Sequence, residues 1–414
     1  MGTEIDRLLT VDEALHAIRE RAAHLKPRPC VLAEALGCVL AEDVTADLDL
    51  PPFDKALVDG YAVRASDLVA GECRLAVGEE IVAGRTPTRA LAPGEAAAIM
   101  TGAPLPPDAD AVIMVEKTRR DGADVLLEGG LVRPGQNRLL RGREMRAGDV
   151  VLRKGEPLNA PKLGLLASVG RAKVLVFPRP RVAIVPTGDE LVEPDVVPGP
   201  GQIRNSNAVM LQALTGATGA EVRTFPIAPD EPAGLRSLLE RGLNFDVLTI
   251  TGGVSAGNRD LVPEALASLG VTRVFHKVRV KPGKPLWFGV GPPRGDAPGA
   301  LVFGLPGNPV SGIVGFLLFV RPALLALASQ RAESLPLMSR RRLARAFVHS
   351  SDRPTYFPAR LSAESAAAEA AIEPLDWAGS ADLRTVAQAD GFAVFAAGDR
   401  HYQAGEVVEF LHLG

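Results

Sequence analysis

Hydrophobic residues recur at helical spacing near the start of the chain. Apolar side chains from Leu15 to Leu25 lie three or four positions apart, which is the spacing of one face of a helix. The preceding segment, Thr10-Val11-Asp12-Glu13, is a capping box, in which the threonine hydroxyl and the glutamate carboxylate each bind a free amide. The pattern predicts a helix that begins after Thr10 and is stopped by Pro27 and Pro29.

Short apolar segments fill the region that follows. They lie between glycines and prolines at 75–82, 96–100, 111–116 and 125–128, which is typical of a small β-rich domain. Longer elements then return, with a helical pattern at 160–169. We therefore expect a β-rich domain inserted between the two halves of a first domain; the expected boundaries are 1–50 and 145–177 for the first domain and 51–144 for the insertion.

Strands and helices alternate from 178 to 330. Apolar runs such as 181–185 and 246–251 are followed by turn residues and then by helical patterns, as at 261–269. Near-continuous apolar strands between helices predict an α/β sheet that is covered on both faces. Residues 331–414 return to a β pattern and predict a small barrel or sandwich. The expected fold class is therefore a multidomain combination of α/β and all-β parts.

Composition and charge exclude several classes of protein. A net charge of −3 over 414 residues gives no global reason to bind nucleic acid or an anionic membrane. The three cysteines contain no C-x-x-C pair, so neither a disulfide framework nor a zinc knuckle is indicated. The N-terminus lacks the pattern of a signal peptide. The most apolar run, 313–328, is interrupted by Arg321 and Pro322 and predicts a buried helix. We expect a cytoplasmic protein without nucleic-acid or membrane partners.

Three turns that follow strands carry unusual chemistry. The segments GGVSAGNRD at 252–260 and GLPGNPVSG at 304–312 each join a strand to a helix, where open α/β sheets bind ligands. Pro309 is suited to the first position of such a helix. Lys281 and Lys284 lie on the proline-stiffened turn KPGKP. Together the turns predict an anion site; purely structural glycines and solvated lysines are the alternatives.

Carboxylates lie at the same strand ends. Asp189 and Glu190 follow one strand, Asp230 precedes a helix, and Asp260 closes the 252–260 turn. Several acids beside a phosphate cradle predict Mg²⁺ on a phosphorylated ligand, although Asp230 alone could serve as a helix N-cap. The six histidines show no metal-ligand spacing, and no serine nucleophile motif is present. Covalent catalysis is therefore not expected.

A series of short motifs runs in one order along nearly the whole chain. They are PPFD at 51–54, VDGYAV at 58–63, TGAPLP at 101–106, TGDEL at 187–191, NSN at 205–207, GGVSAGNRD at 252–260, KPGKP at 281–285 and GLPGNPVS at 304–311. This ordered set resembles the family of molybdenum-inserting proteins that includes MoeA and the E domain of gephyrin.

The resemblance implies a fold and an assembly. The fold has an elongated two-segment first domain, an inserted β domain, a central three-layer domain of molybdopterin-binding type and a C-terminal β domain. The family resemblance also implies a homodimer whose active site is shared between the central domain of one subunit and the inserted domain of the other. A molybdopterin adenylyltransferase or an acceptor molybdoenzyme would be a further partner.

The resemblance implies a reaction as well. Molybdate would be inserted into adenylylated molybdopterin, with Mg²⁺-dependent release of AMP. The catalytic residues implied are Asp59, Thr101, Glu190, Asp230 and Asp260, of which the four acids would also hold the metal. The ligand-binding residues implied are Gly252, Gly253, Ser255, Lys281, Lys284, Pro306, Pro309, Ser311 and Ser380.

Three departures from the family pattern leave other readings open. Relatives often have N-S-A-M where this chain has Lys55-Ala56-Leu57-Val58, and R-G-E-D where it has Arg141-Gly142-Arg143-Glu144. Pro358 stands where relatives often carry an arginine that helps to hold molybdate; Arg353 or Arg360 are candidates to replace it. The alternatives are a catalytically altered paralogue or scaffold that binds molybdopterin, and a molybdopterin adenylyltransferase.

Overall fold

The computed structural model describes residues 7–68, 72–127, 132–253, 261–329, 338–362 and 370–413. Within these ranges the helices are α1 (Val11–Arg19), α2 (Ala160–Ser168), α3 (Ser206–Ala217), α4 (Pro232–Gly242), α5 (Leu261–Ser268), α6 (Pro309–Gly315), α7 (Arg321–Leu327) and α8 (Leu383–Val386), with a π-helical segment at Phe316–Val320.

Strands dominate the rest of the described chain. In the first half they are β1 (Arg28–Val31), β2 (Val39–Leu40), β3 (Val44–Thr45), β4 (Lys55–Ala56), β5 (Gly60–Val63), β6 (Cys73–Ile81), β7 (Glu95–Ile99), β8 (Ala111–Met114), β9 (Thr118–Asp121), β10 (Asp124–Leu127), β11 (Arg138–Leu139), β12 (Val150–Leu152), β13 (Lys173–Phe177) and β14 (Arg181–Pro186). In the second half they are β15 (Leu191–Val192), β16 (Ile203–Arg204), β17 (Glu221–Thr224), β18 (Val247–Thr251), β19 (Thr272–His276), β20 (Trp287–Val290), β21 (Leu301–Leu305), β22 (Met338–Arg342), β23 (Phe347–Ser351), β24 (Thr355–Leu361), β25 (Ile372–Pro374), β26 (Gly391–Phe395), β27 (Gly398–Tyr402) and β28 (Val407–His412).

The capping box sets the start of α1 as predicted. The Glu13 amide donates to Thr10 Oγ1 at 3.2 Å, and the Thr10 amide donates to Glu13 Oε2 at 2.8 Å. The predicted end was wrong, because the helix finishes at Arg19, well before Pro27. The segment that follows the helix is held by a tertiary contact: the Leu25 amide donates to the Leu327 carbonyl at the end of α7.

The first domain is built from two separate segments. Strand β13 lies between β1 and β2, and β12 pairs with β3. Leu40 from the first segment shares one buried core with Leu166 and Val176 from the second. Helix α1 differs from the rest of residues 1–50, because Ala14 and Ile18 pack into the core of the α/β domain instead. The domain boundaries given above remain a prediction.

The inserted region forms a six-stranded sheet in the order β8-β5-β7-β6-β10-β9, with the short pair β11 and β4 beside it. Glycine is required at the start of β5. A Cβ atom on Gly60 would lie 1.8 Å from the carbonyl oxygen of Ile113 on the neighbouring strand β8. The backbones therefore approach too closely there for any side chain.

The α/β domain holds a six-stranded sheet in the order β17-β14-β18-β21-β20-β19. The first four strands are parallel, while β20 runs antiparallel to both of its neighbours. Alternate side chains of β14 enter different cores: Ile184 packs with α1, α3, α6 and α7, and Val185 packs with α4 and α5. The prediction of an α/β sheet covered on both faces is confirmed.

The most apolar helical run continues through Arg321 and Pro322. Helix α6, the π-helical segment and α7 form one 19-residue stretch, Pro309–Leu327. The wider turn before Pro322 accommodates its ring and its missing N–H, which a regular helix would not. By length and composition this stretch could cross a membrane, yet 83% of its most apolar window is buried inside the protein. It is a core helix, as the sequence predicts.

The C-terminal region forms a five-stranded sheet in the order β22-β28-β26-β24-β25, with the ribbon β23–β27 beside it. This domain is tied by main-chain hydrogen bonds to the KPGKP turn of the α/β domain. The Lys281 amide donates to the Pro354 carbonyl at 2.9 Å, and the Tyr356 amide donates to the Lys281 carbonyl at 2.8 Å. The lysine turn is therefore held between two domains.

Candidate functional site

The KPGKP turn borders a cleft at the carboxyl edge of the α/β sheet. The cleft has a volume of about 560 Å³ and lies between the α/β and C-terminal domains. Five residues predicted from the sequence line it: Lys281, Lys284, Pro306, Ser311 and Ser380. Lys281 is half-buried and Lys284 is exposed. We call this the oxyanion cleft, because its lining combines ammonium groups with hydroxyl donors.

The start of α6 positions the two serines. Pro309 occupies the first helical position, as predicted, and Asn308 precedes it. The Asn308 side-chain amide donates to Ser380 Oγ at 2.9 Å, and the Val310 amide donates to the Ser380 carbonyl at 3.1 Å. Ser311 is buried in the first turn of the helix. Pro309 thus contributes by starting the helix, while Pro306 and Asn308 contact the cleft.

A second cleft of about 330 Å³ adjoins the first and shares Pro285, Pro306 and Asn308 with it. Glu190, Gly252 and Gly253 line this second cleft, which we call the glycine cleft. A Cβ atom on Gly252 would lie 2.6 Å from the Thr187 carbonyl oxygen. Close packing alone therefore requires glycine there, and the same residue also borders the cavity.

The predicted acids of the α/β domain occupy different environments. Glu190 lines the glycine cleft. Asp189 and Asp230 bind each other's main chain: the Asp230 amide donates to Asp189 Oδ1 at 3.0 Å, and the Asp189 amide donates to Asp230 Oδ2 at 3.5 Å. The N-cap of α4 is Glu231, so the alternative role of Asp230 as a helix cap is wrong. Ser255 and Asp260 lie outside the described residues.

Asp59 and Thr101 lie together in the inserted domain. Asp59 Oδ1 accepts hydrogen bonds from the Thr101 amide at 2.7 Å and from the Thr101 hydroxyl at 2.6 Å. These two bonds lower the pKa of Asp59 from its ordinary value. The carboxylate borders a third cavity of about 670 Å³, beside Glu79 and Glu80. Residues Lys281 and Asp59 therefore border different cavities of one chain.

The predicted metal ligands that the structure describes do not lie together in one chain. Within the described ranges, no three acidic, histidine or cysteine side chains form a group able to hold a metal ion. Asp59 is in the inserted domain, Glu190 lines the glycine cleft, and Asp230 binds the Asp189 amide. A metal site made of these acids is not formed by the described part of a single chain.

The departures from the family pattern have structural counterparts. Lys55 Nζ lies 3.5 Å from Glu144 Oε1, so two of the departures form an ion pair with each other. Pro358 is buried on β24. Arg353 lines the oxyanion cleft, whereas Arg360 forms an ion pair with Glu373 at 2.8 Å and does not line it. Arg353 is thus the better placed of the two candidates.

The sequence pattern missed the aromatic and imidazole wall of the oxyanion cleft. Phe347, His349, Phe357 and Trp377 line it from the C-terminal domain. The only sequence signal was the alternation of Phe347 and His349 along one strand, which indicates a shared face. Their position beside the lysine turn depends on how two domains pack, and no local pattern encodes that.

Three known protein-family models match successive regions of this chain. Residues 9–170 match the MoeA N-terminal region (domain I and II), residues 183–326 match a probable molybdopterin binding domain, and residues 340–413 match the MoeA C-terminal region (domain IV). The fold and its clefts thus define a protein of molybdenum cofactor biosynthesis.

Individual proteins that resemble this chain belong to the same family. The chain is 32% identical over 408 residues to molybdopterin molybdenumtransferase of Staphylococcus aureus strain Mu50, covering 97% of this chain and 95% of that protein. It is 38% identical to molybdopterin molybdenumtransferase 2 of Mycobacterium tuberculosis strain H37Rv, covering 76% and 78%. The crystal structure of the Pyrococcus horikosii moea protein superposes with a TM-score of 0.79 at 32% identity, covering 99% of this chain and all of that one. The chain belongs to the molybdopterin molybdenumtransferase (MoeA) family.

Proposed function

We propose that this molybdenumtransferase inserts molybdate into adenylylated molybdopterin and releases AMP. The observation that supports the proposal is the pair of adjoining clefts. One is lined by lysines and serines, and the other by glycines and Glu190, and they share Pro285, Pro306 and Asn308. A small oxyanion and a phosphorylated pterin bound in them would be direct neighbours.

The oxyanion cleft suits a tetrahedral dianion. Lys281 and Lys284 supply positive charge, and the Ser311 and Ser380 hydroxyls can donate hydrogen bonds. Ammonium groups serve an oxyanion without requiring bidentate geometry. The main chain of Lys281 is fixed by hydrogen bonds to the C-terminal domain. The point at which its side chain leaves the main chain is therefore fixed at the border of the cleft. These features favour molybdate as the occupant.

The glycine cleft suits the phosphate end of the second substrate. Backbone at Gly252 and Gly253 has positive φ and carries no side chain that would keep a phosphate away. Glu190 at its edge could orient the water that attacks the pyrophosphate bond. AMP would leave, and the dithiolene sulfurs of molybdopterin would replace oxygen of molybdate, which departs as water with the thiol protons. Molybdopterin would keep its own phosphate.

We propose that the inserted domain of one subunit contributes to the active site of a second subunit. The Asp59 carboxylate accepts two hydrogen bonds from Thr101, which lower its pKa further below neutral pH, so it is ionised there. It lies in a different cavity from the lysines of the same chain. A homodimer in which Asp59 of one subunit faces the clefts of the other would unite the two sets.

Magnesium is part of the proposal only as a component of such a shared site. The acids named for it do not meet within the described part of one chain. A molybdopterin adenylyltransferase that supplies the substrate and a molybdoenzyme that accepts the product are the partners expected for this reaction.

The direct test is to incubate the protein with adenylylated molybdopterin, molybdate and Mg²⁺ and to follow AMP. We expect AMP release that depends on molybdate and is lost in Glu190→Gln. The exposed neighbour Glu193 provides the control, because Glu193→Gln should release AMP like the parent. Binding without AMP release would favour a scaffold, and conversion of ATP and molybdopterin to the adenylylated form would favour an adenylyltransferase.

A further inference from the structure

The ribbon β23–β27 places one histidine in the wall of the oxyanion cleft. His349 lies on β23 opposite Arg400 of β27, and only 6% of its surface is exposed. Its ring stacks on Phe395 with 5.4 Å between ring centroids. The imidazole is therefore fixed in position beside the lysine turn.

The His349 ring carries a polar atom that has no protein partner. This atom, Nε2, is buried and makes no hydrogen bond to any of the described residues. The Trp377 Nε1 atom, which belongs to another residue of the same wall, is in the same condition. A buried polar atom without a partner is unfavourable, because the hydrogen bonds it made to water are not replaced. Both residues line the oxyanion cleft, and a buried polar atom without a protein partner is a candidate contact for a bound ligand.

Charged groups of both signs lie near the His349 ring. The positive ones are Lys281 and Arg353, which border the same cleft. Asp399 of β27 accepts a hydrogen bond from Ser350, and Asp352 forms an ion pair with Arg353 at 3.0 Å. Burial, and secondly Lys281, lower the pKa of His349, and Asp399 opposes them. The free protein therefore holds this imidazole neutral at pH 7.

We propose that His349 is a further anion-binding residue of the oxyanion cleft, donating its Nε2–H to an oxygen of bound molybdate while the Trp377 indole N–H contacts a second oxygen. The proposal rests on the proposed function of the cleft as the molybdate site. It gives the wall of the C-terminal domain the donor role that Pro358 cannot fill.

A dependence on pH follows from the sign of the interaction. A dianion favours the imidazolium form of His349, so binding raises the pKa of the histidine from its lowered value. Molybdate binding then takes up part of a proton, and affinity increases as the pH falls from 8 to 6. Neutral glutamine at this position keeps one donor and cannot take up the proton.

Titration calorimetry with molybdate alone provides the test. We would compare the parent with His349→Gln at pH 6 and pH 8, in pairs of buffers with different ionisation enthalpies. His412→Gln is the matched control, because His412 is a half-buried histidine of the same domain whose pKa burial also lowers, and its Nε2 already pairs with Ser339 at 2.7 Å.

We expect His349→Gln to bind molybdate about tenfold more weakly than the parent at pH 6, which is the size of one charge-assisted hydrogen bond. The difference should shrink at pH 8, proton uptake should vanish, and His412→Gln should behave like the parent. Equal affinity and equal proton uptake in parent and His349→Gln would overturn the proposal. If Lys281→Met still weakens binding in that case, the cleft stands and only the role of His349 falls.

A second measurement covers a variant that fails to fold. The imidazole protons of His349 can be followed by NMR in the parent protein during a pH titration, with and without molybdate. A higher pKa in the presence of molybdate supports the proposal, and an unchanged pKa refutes it. A parent protein that binds no molybdate at all would remove both this inference and the proposed function.

Discussion

Removing the charge of Lys281 should weaken molybdate binding more than removing the charge of Lys284. Both lysines border the oxyanion cleft, but Lys281 is half-buried whereas Lys284 is exposed. Its main chain is also fixed by hydrogen bonds of 2.9 Å and 2.8 Å to the C-terminal domain. The main chain of Lys281 therefore loses little further freedom when its ammonium group binds the anion.

The size of the effect follows from these environments. A charge-assisted hydrogen bond from a partly desolvated lysine contributes about 1.5–3 kcal/mol, which corresponds to roughly ten- to a hundredfold in affinity. For the exposed Lys284, solvent screening reduces the contribution to about 1 kcal/mol or less, or about fivefold. We therefore expect Lys281→Met to bind molybdate at least tenfold more weakly than the parent, and Lys284→Met to lose less.

Calorimetry with molybdate at fixed salt measures both variants directly. Methionine keeps most of the apolar stem of lysine, so packing is largely preserved and charge is the main change. Lys281→Arg should recover part of the affinity, and Lys154→Ala, at an exposed position of the first domain, should match the parent. If Lys281→Met bound molybdate as tightly as the parent, the turn would not hold the anion and our placement of the site would be wrong.

Three other experiments test separate parts of the structure. Mixing Asp59→Asn with Lys281→Ala subunits should restore part of the AMP release through heterodimers with one intact site; no recovery under proven subunit exchange would argue against a shared cleft. EDTA should abolish AMP release and added Mg²⁺ should restore it, whereas full turnover in chelator would remove the metal from the proposal. Gly60→Ala should destabilise the protein by about 1–3 kcal/mol or more in chemical unfolding, because its Cβ would lie 1.8 Å from the Ile113 oxygen. Gly164→Ala, within α2 and with open space at its Cβ, should instead stabilise it by up to about 1 kcal/mol; equal effects of the two would contradict this packing argument.

Local patterns predicted most of the elements because their determinants lie close together in sequence. The capping box at Thr10 and Glu13 specifies the start of α1 through bonds between neighbouring residues. Pro309 likewise starts α6 from its own ring geometry. The end of α1 was predicted wrongly because Pro27 and Pro29 lie beyond it, and the segment between is held by a distant contact, from Leu25 to Leu327, that no local pattern encodes.

The candidate site could be predicted only in pieces. The lysine turn was identified because Lys281 and Lys284 are separated by only two residues, and the strand-to-helix turns lie where α/β sheets bind ligands. The sequence did not predict His349 as a site residue, because its place in the cleft depends on how the β23–β27 ribbon packs beside another domain. The separation of Asp59 from the lysines is also a property of domain arrangement, which no single motif encodes.

The position of the lysine turn between two domains gives the anion a mechanical role. Lys281 and Lys284 belong to the α/β domain, and Arg353 and Ser380 across the cleft belong to the C-terminal region. A ligand that contacts both walls binds the native packing of the two domains and not a chain in which they have separated, so it stabilises that packing. At a concentration one hundred times its dissociation constant, such a ligand adds about 2.7 kcal/mol to the free energy of separating them. The supply of substrate would thus set how firmly the two domains hold together.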